Sequence, residues 1–381
     1  MDFKFTEEEE AFRKEVQAFL KREVEHAGKD WVTGFSREFA LKLGAKGWLA
    51  ITWPEEYGGR NATPIEALIL SEELAYCRAP RGVQIIGMGW VGQSLMRYGT
   101  DEQKKKYLLD IGRGKTWVCT AYSEPGAGSD LVALQCSARA EGDNYVINGQ
   151  KIFTTGAHLC DLIWLAARTD PNAPKRHHGI SMFLIDLGTP GITVRPVINM
   201  LGRHEFNEVF FDDVRVPMDC LVGEENQGWY MLVGALDVER SMIEMFLMAR
   251  RTLEELVAFA KESGLSRDPL VRQKLAEIAI EIEVGRMLAY RLAWMQNKGI
   301  TPNYESSLTK VYGTEMDQRL ANAAMQILGL YGPLEPASKW VVLQGLIARD
   351  CLFSVSATIF GGTSEILRTI IATRGLGLPR Y

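Results

Sequence analysis

The chain has 381 residues, a formal net charge of −5 and a sequence pI near 5.7. That length suits two or three domains able to bury a large cofactor, and the acidic balance gives no electrostatic footprint for nucleic acid. Six cysteines, at 77, 119, 136, 160, 220 and 351, show no CxxC spacing, which argues against a zinc site or a disulfide framework and fits a reducing cytoplasm. The opening "MDFKFTEEEEAFRKEV" is acidic and lacks an apolar core. No later stretch approaches ~18 uninterrupted apolar residues, so neither a signal peptide nor a membrane span is expected.

From Thr6, with Glu9 three residues on as a capping box, Phe12, Val16, Phe19 and Leu20 keep helical spacing. The stretches 36–49, 64–77 and 101–114 read as further helices between Gly/Pro punctuation, so residues 1–115 form an N-terminal helical domain. Strands then take over. Asn148-Gly149 between β-prone runs predicts a hairpin, and the runs 161–169, 179–187, 192–198 and 207–217 read as strands. Residues 116–225 therefore predict a central antiparallel β-domain, a small barrel or sandwich. Helical period returns over 227–262, 268–297, 303–329 and 337–356, giving a C-terminal four-helix-bundle-like domain over 226–381. The class is α+β. Ile278, Ile280, Ile282, Val284, Met287 and Leu288 are too dense for a fully solvated helix and predict burial against another subunit.

The stretch "AYSEPGAGSD" (121–130) follows a β-prone run and brings Gly126, Gly128 and Ser129 together. It is neither a Walker cradle nor a dinucleotide fingerprint. From spacing alone it reads equally as a tight turn or as a backbone surface for a ligand, and Thr120, Tyr122, Ser123 and Ser129 add hydroxyls on both sides.

In order and separation, "TAYSEPGAGSD", "INGQKIFTTGA", "GEENQGW", "MQILGLYG" and "GGTSEILRTIIATRGLG" resemble the acyl-CoA dehydrogenase family over the whole chain. The resemblance implies FAD, an acyl-CoA thioester substrate, a place in lipid metabolism and electron-transfer flavoprotein as acceptor. It implies that Tyr122 and Ser123 contact the N1/O2 side of the flavin, that Gly128 and Ser129 line the cofactor and the CoA path, and that Phe153 stacks on the ring. Thr155 would hydrogen-bond near flavin N5. Gln326 and Gly329 match positions that meet the adenosine of a neighbouring subunit, implying a dimer or tetramer, and Thr363 and Glu365 match cofactor contacts near the C-terminus. The lesser reading of Gln326 is a polar residue on a solvated helix face. The family's Arg-Lys-x-Phe-Gly stretch is absent, leaving Arg267 or Arg272 as substitutes, or a hetero-oligomer in which a related subunit completes the site.

The resemblance also implies a carboxylate base that removes the α-proton of the thioester. Its commoner position is occupied here by Gly361. A subset of the family carries the base on the helix after the β-domain, next to an arginine, which points to Glu239 with Arg240. Along a continuous helix, Ala235, Leu236, Met242 and Ile243 would leave Glu239 without a cationic partner. "KRHHG" (175–179) and "LGRHEFNEV" lack metal-ligand spacing, and no metal is predicted. Three alternatives stay open: a flavin oxidase or monooxygenase, a subunit of a hetero-oligomeric dehydrogenase, and a non-enzymatic acyl-CoA-binding relative.

Overall fold

The computed structural model describes residues 4–24, 34–80, 86–238 and 242–379, and for 234–238 the backbone alone. In chain order its helices are α1 (Glu7–Val24), α2 (Arg37–Ala45), α3 (Pro64–Tyr76), α4 (Gln93–Tyr98) and α5 (Asp101–Gly112). They continue with α6 (Gly228–Val238), α7 (Ile243–Glu262), α8 (Pro269–Asn297), α9 (Tyr304–Leu328), α10 (Leu346–Ala357) and α11 (Ser364–Ile370). The strands are β1 (Val118–Ala121), β2 (Ser137–Glu141), β3 (Asn144–Lys151), β4 (Leu162–Arg168), β5 (Ile180–Asp186), β6 (Ile192–Ile198), β7 (His204–Pro217) and β8 (Leu221–Val222). Two compact units result, one of Met1–Gly28, Thr63–Ala79 and Arg240–Tyr381, the other of Lys29–Ala62 and Pro80–Glu239.

The first unit is helical. Thr6 and Glu9 close the expected capping box, with Glu9 N donating to Thr6 Oγ1 at 3.2 Å and Thr6 N to Glu9 Oε2 at 2.8 Å. A second box, Thr63 with Glu66, starts α3 behind Pro64. The long helices bury Phe246, Ile278, Ile282, Met316 and Leu320 in one core that also takes Leu68 and Ala75 of α3. Ile278 and Ile282 thus serve their own unit, whereas Ile280 and Val284 stay 65% and 45% exposed. Glu72 is buried and satisfied by Arg13 at 2.8 Å and by the Tyr290 hydroxyl at 2.7 Å. Burial, reinforced by the Glu72 charge, pushes that phenol up to about 12.

The second unit is built on a sheet in the order β6-β7-β3-β2-β4-β5-β8, with β1 paired to β4. Most pairings are antiparallel; β1 and β2 each run parallel to β4. The strand runs read from the sequence appear at these places, but the hairpin does not. The chain reverses at Gly142 and Asp143, between Glu141 and Asn144, while β3 runs straight through Asn148-Gly149. There Asn148 faces two residues of β7, Asp212 and Asp213, one in excess, and its side chain bonds Asp213 in both directions (2.9 and 3.0 Å). Gly149 (φ 145°) is needed because a Cβ would lie 2.7 Å from the Cys136 backbone. The Asn-Gly pair marks a bulge rather than a turn. The sequence reading also passed over residues 87–98, a wide helical turn (Gly87–Gly92) leading into α4.

The helix expected over 227–262 is two helices. Met242, at φ 54°, stands outside α7 in the left-handed region. The segment 337–356 is helical only from Leu346, because Leu343 and Gln344 both take positive φ before it.

Candidate active site

Strand β1 ends at Ala121, and the glycine loop then folds back on itself. Glu124 and Ala127 exchange both backbone hydrogen bonds at 3.0 Å around Pro125-Gly126. The loop is held from below by Lys151 of β3, whose side chain is completely buried: Nζ donates to the Tyr122 carbonyl at 3.0 Å and to Glu124 Oε1 at 2.8 Å. Glu124 in turn accepts from the amides of Gln135 (2.7 Å) and Cys136 (2.9 Å). A buried ion pair thus ties the loop to two neighbouring segments.

Above this anchor the Tyr122 ring stacks on Trp90, with centroids 6.0 Å apart. The Ser123 carbonyl accepts from the Ile152 amide at 2.9 Å, and Gly128 and Ser129 are exposed. A Cβ added to Gly126 or Gly128 would meet nothing within 4 Å, and neither residue has positive φ. The packing of this chain therefore does not require glycine at either place and leaves the backbone open to close approach.

Just past β3, Phe153 takes φ 57° and remains 59% exposed, its edge toward Phe206 at 6.1 Å. A left-handed, solvent-facing aromatic costs about 1–3 kcal/mol in backbone strain and suits a side chain presented to a ligand rather than to a core. The turn behind it is zipped to β7: Thr154 N donates to Asn207 O (3.0 Å), Asn207 N to Thr154 O (3.1 Å), and Gly156 N to Glu205 O (2.8 Å). Thr154 Oγ1 is buried without a partner, and Thr155 is half-buried next to it.

The fold thus brings Tyr122, Ser123, Gly128, Ser129, Phe153 and Thr155 into one unit, on two segments linked by Lys151 and by the Ile152 amide. The other unit carries the remaining candidates. Gln326 is exposed on α9 and accepts from Lys274 Nζ at 2.9 Å, and Gly329 ends that helix at φ 55°. Thr363 caps α11, accepting from Ile366 N at 3.2 Å; Glu365 follows in the first turn, where its own backbone amide and then the Thr363 hydroxyl hold its carboxyl below the ordinary range. Gly361 is exposed at φ 63° with open space where a side chain would start. Its turn is pinned by buried Lys310, which donates to the carbonyls of Ala357 (3.0 Å) and Gly362 (2.8 Å). Arg267 and Arg272 are both exposed.

Glu239 and Arg240 lie outside the described residues. What leads to them is firmly anchored: Asn226 N donates to the buried Ser181 hydroxyl at 2.7 Å, and Asn226 Oδ1 accepts from Thr169 at 2.7 Å, which sets the start of α6. His177 and His178 sit on a short turn beside Tyr230, and among the described residues no cluster of three or more metal-binding side chains occurs. The sequence reading missed Lys151, Glu124 and Asn207.

A glycine loop left open, an exposed aromatic on the adjoining segment and an amide-zipped turn lie together in the second unit. The acyl-CoA dehydrogenase N-terminal, middle and C-terminal domains match residues 6–115, 119–214 and 226–376. The chain belongs to the acyl-CoA dehydrogenase family. It is 36% identical over 346 residues to acyl-CoA dehydrogenase IpdE1 of Mycobacterium tuberculosis, covering 90% of this chain and 88% of that one. The Tcur3481-Tcur3483 steroid ACAD aligns over 100% of both chains, with TM-score 0.90 and 35% identity. The ChsE4-ChsE5 complex from Mycobacterium tuberculosis aligns over 100% of both, with TM-score 0.87 and 33% identity. This acyl-CoA dehydrogenase is accordingly an FAD-dependent oxidoreductase with the three-domain fold of its family. Among the described residues no helix is long and apolar enough to cross a membrane.

Proposed function

We propose that this acyl-CoA dehydrogenase removes the α-proton of its thioester substrate with Glu239, and that Gly361 leaves the commoner base position vacant. FAD, when bound, supplies a hydride acceptor at N5, so that the β-hydrogen leaves with its electron pair and a Cα–Cβ double bond forms. Tyr122, Ser123, Gly128, Ser129, Phe153 and Thr155 would hold the flavin ring and the near part of the substrate. The Gly126–Gly128 backbone, which the packing of the chain leaves uncovered, supports this reading. Gln326, Gly329, Thr363 and Glu365 would complete the cofactor site, with Arg240 beside the base and Arg267 or Arg272 toward the diphosphate.

The likeness to a steroid ACAD and to a two-component complex supports a bulky polycyclic acyl group and a related second subunit. Electron-transfer flavoprotein is the acceptor in this reading, and six unbridged cysteines support a cytoplasmic setting. The test is anaerobic flavin bleaching with straight, branched, aromatic and steroid-side-chain acyl-CoAs, on the chain alone and with its co-purifying subunit. Glu239→Gln should retain FAD and bleach about 10²- to 10⁴-fold more slowly. Bleaching at the parental rate would remove Glu239 from the mechanism. Gly361→Glu on that background is expected to restore little, because φ 63° costs a side-chain-bearing residue about 1 kcal/mol or more.

A further inference from the structure

Asn207 of β7 is completely buried, and its amide makes contacts on both sides. Nδ2 lies 3.0 Å from the Thr154 carbonyl and 3.2 Å from His158 Nδ1; Oδ1 lies 2.7 Å from His204 Nε2. The Thr154 carbonyl can only accept, so the amide orientation is fixed with Nδ2 toward it. Both Nδ2 hydrogens are then committed, one to Thr154 and one to His158. It follows that His158 Nδ1 is an acceptor, that its proton sits on Nε2, and that the ring is neutral. His204 must carry its proton on Nε2 to meet Oδ1. The two imidazoles stack at 3.7 Å with a 17° tilt, an arrangement that opposes charging both.

We propose that Asn207, read by a neutral His158 and an Nε2-protonated His204, is the positioning residue that sets the Phe153–Thr155 turn for the flavin. This rests on the reading of that turn as flavin-facing. Asn207 grips Thr154 three times, twice through its backbone N–H and carbonyl and once through its side-chain amide, so the side chain adds the third tie to the turn beside the strained Phe153. A proton on His158 Nδ1 would face an N–H of Asn207, and the side chain would have to leave the Thr154 carbonyl to relieve the clash. His158 is exposed on its outer side; desolvation where it packs, and then the facing His204, keep it below the ordinary histidine range. The charged groups on the adjoining β6–β7 connection answer each other: Glu205 accepts from Asn199 at 2.8 Å and faces Arg203 at 3.8 Å.

The experiment uses the FAD-loaded protein. With five histidines in the chain, ¹⁵N-histidine spectra of the parent and of His158→Phe assign the His158 signal. The expected result at neutral pH is a neutral ring protonated on Nε2. FAD affinity of the parent should fall on acidification in step with that signal, and His158→Phe, which retains a stacked ring, should lose the step. Asn207→Leu should bind FAD about tenfold more weakly at neutral pH with β-sheet circular dichroism retained. An Nδ1-protonated or charged His158 at neutral pH, or parental FAD affinity in Asn207→Leu while Phe153→Ala is weakened, overturns the proposal alone. Parental affinity in Phe153→Ala overturns the flavin-facing reading, and this proposal with it.

Discussion

Lys151 shows how much one side chain can decide here. A lysine with no exposed surface is tolerated only where its charge is answered, and Glu124 at 2.8 Å answers it while accepting two backbone amides of its own. Replacing Lys151 by Met removes one partner and leaves a carboxylate in a pocket built for an ion pair. Urea unfolding should show a loss of about 3–5 kcal/mol, and the loop over 121–127 should become protease-sensitive. A loss within the error of the extrapolation would mean that water reaches Glu124 and that the staple is decorative. Lys151 was illegible as a site residue because strand alternation alone does not say which lysine is buried. Phe153 was legible only through resemblance; its positive φ is set by pairing with β7, about fifty positions away in sequence. Glycines 126 and 128 were legible as candidates because glycine announces either a turn or a close approach, and only the surrounding space separates the two.

At the scale of elements, the helical period and its caps placed most helices correctly, since apolar spacing and Thr-x-x-Glu boxes act locally. The Asn148-Gly149 hairpin failed because the deciding contact, with Cys136 just before β2, is not local. Gly285 shows the same competition between local preference and packing. Within α8 an alanine would raise helix propensity by about 1 kcal/mol. Here, however, a Cβ would run into the ring of Phe246, itself fully buried on α7. Overpacking of a well-filled core costs about 1–3 kcal/mol, so Gly285→Ala should lower stability on balance. The measurement is thermal unfolding, and Phe246→Leu on the same chain should recover part of the loss by opening the space. If Gly285→Ala raises the melting temperature, propensity has won and the α7–α8 contact is looser than the geometry requires.

For the whole molecule, the texture of helices, then strands, then helices was readable from period alone, but the assembly was readable only as a surplus of apolar residues. The structure divides that surplus. Ile278 and Ile282 pack inside their own unit, while Ile280, Val284 and Met287 stand 65%, 45% and 38% exposed along one side of α8, with Ala279 and Leu288 beside them. An apolar stripe left in water on a helix this long is expected to dock against a second copy or a related subunit. The double variant Ile280→Glu/Val284→Glu puts two like charges on the stripe without touching the residues the unit buries, so its helical circular dichroism should match the parent. Light scattering should then report a smaller assembly. Because Gln326 and Gly329 would complete a neighbour's cofactor site, the same variant should also lose FAD on gel filtration, although no flavin-facing residue has changed. A parental mass with full flavin would show that the stripe is merely solvated surface. A smaller mass with full flavin would separate the two claims, keeping the interface while returning Gln326 and Gly329 to their own subunit.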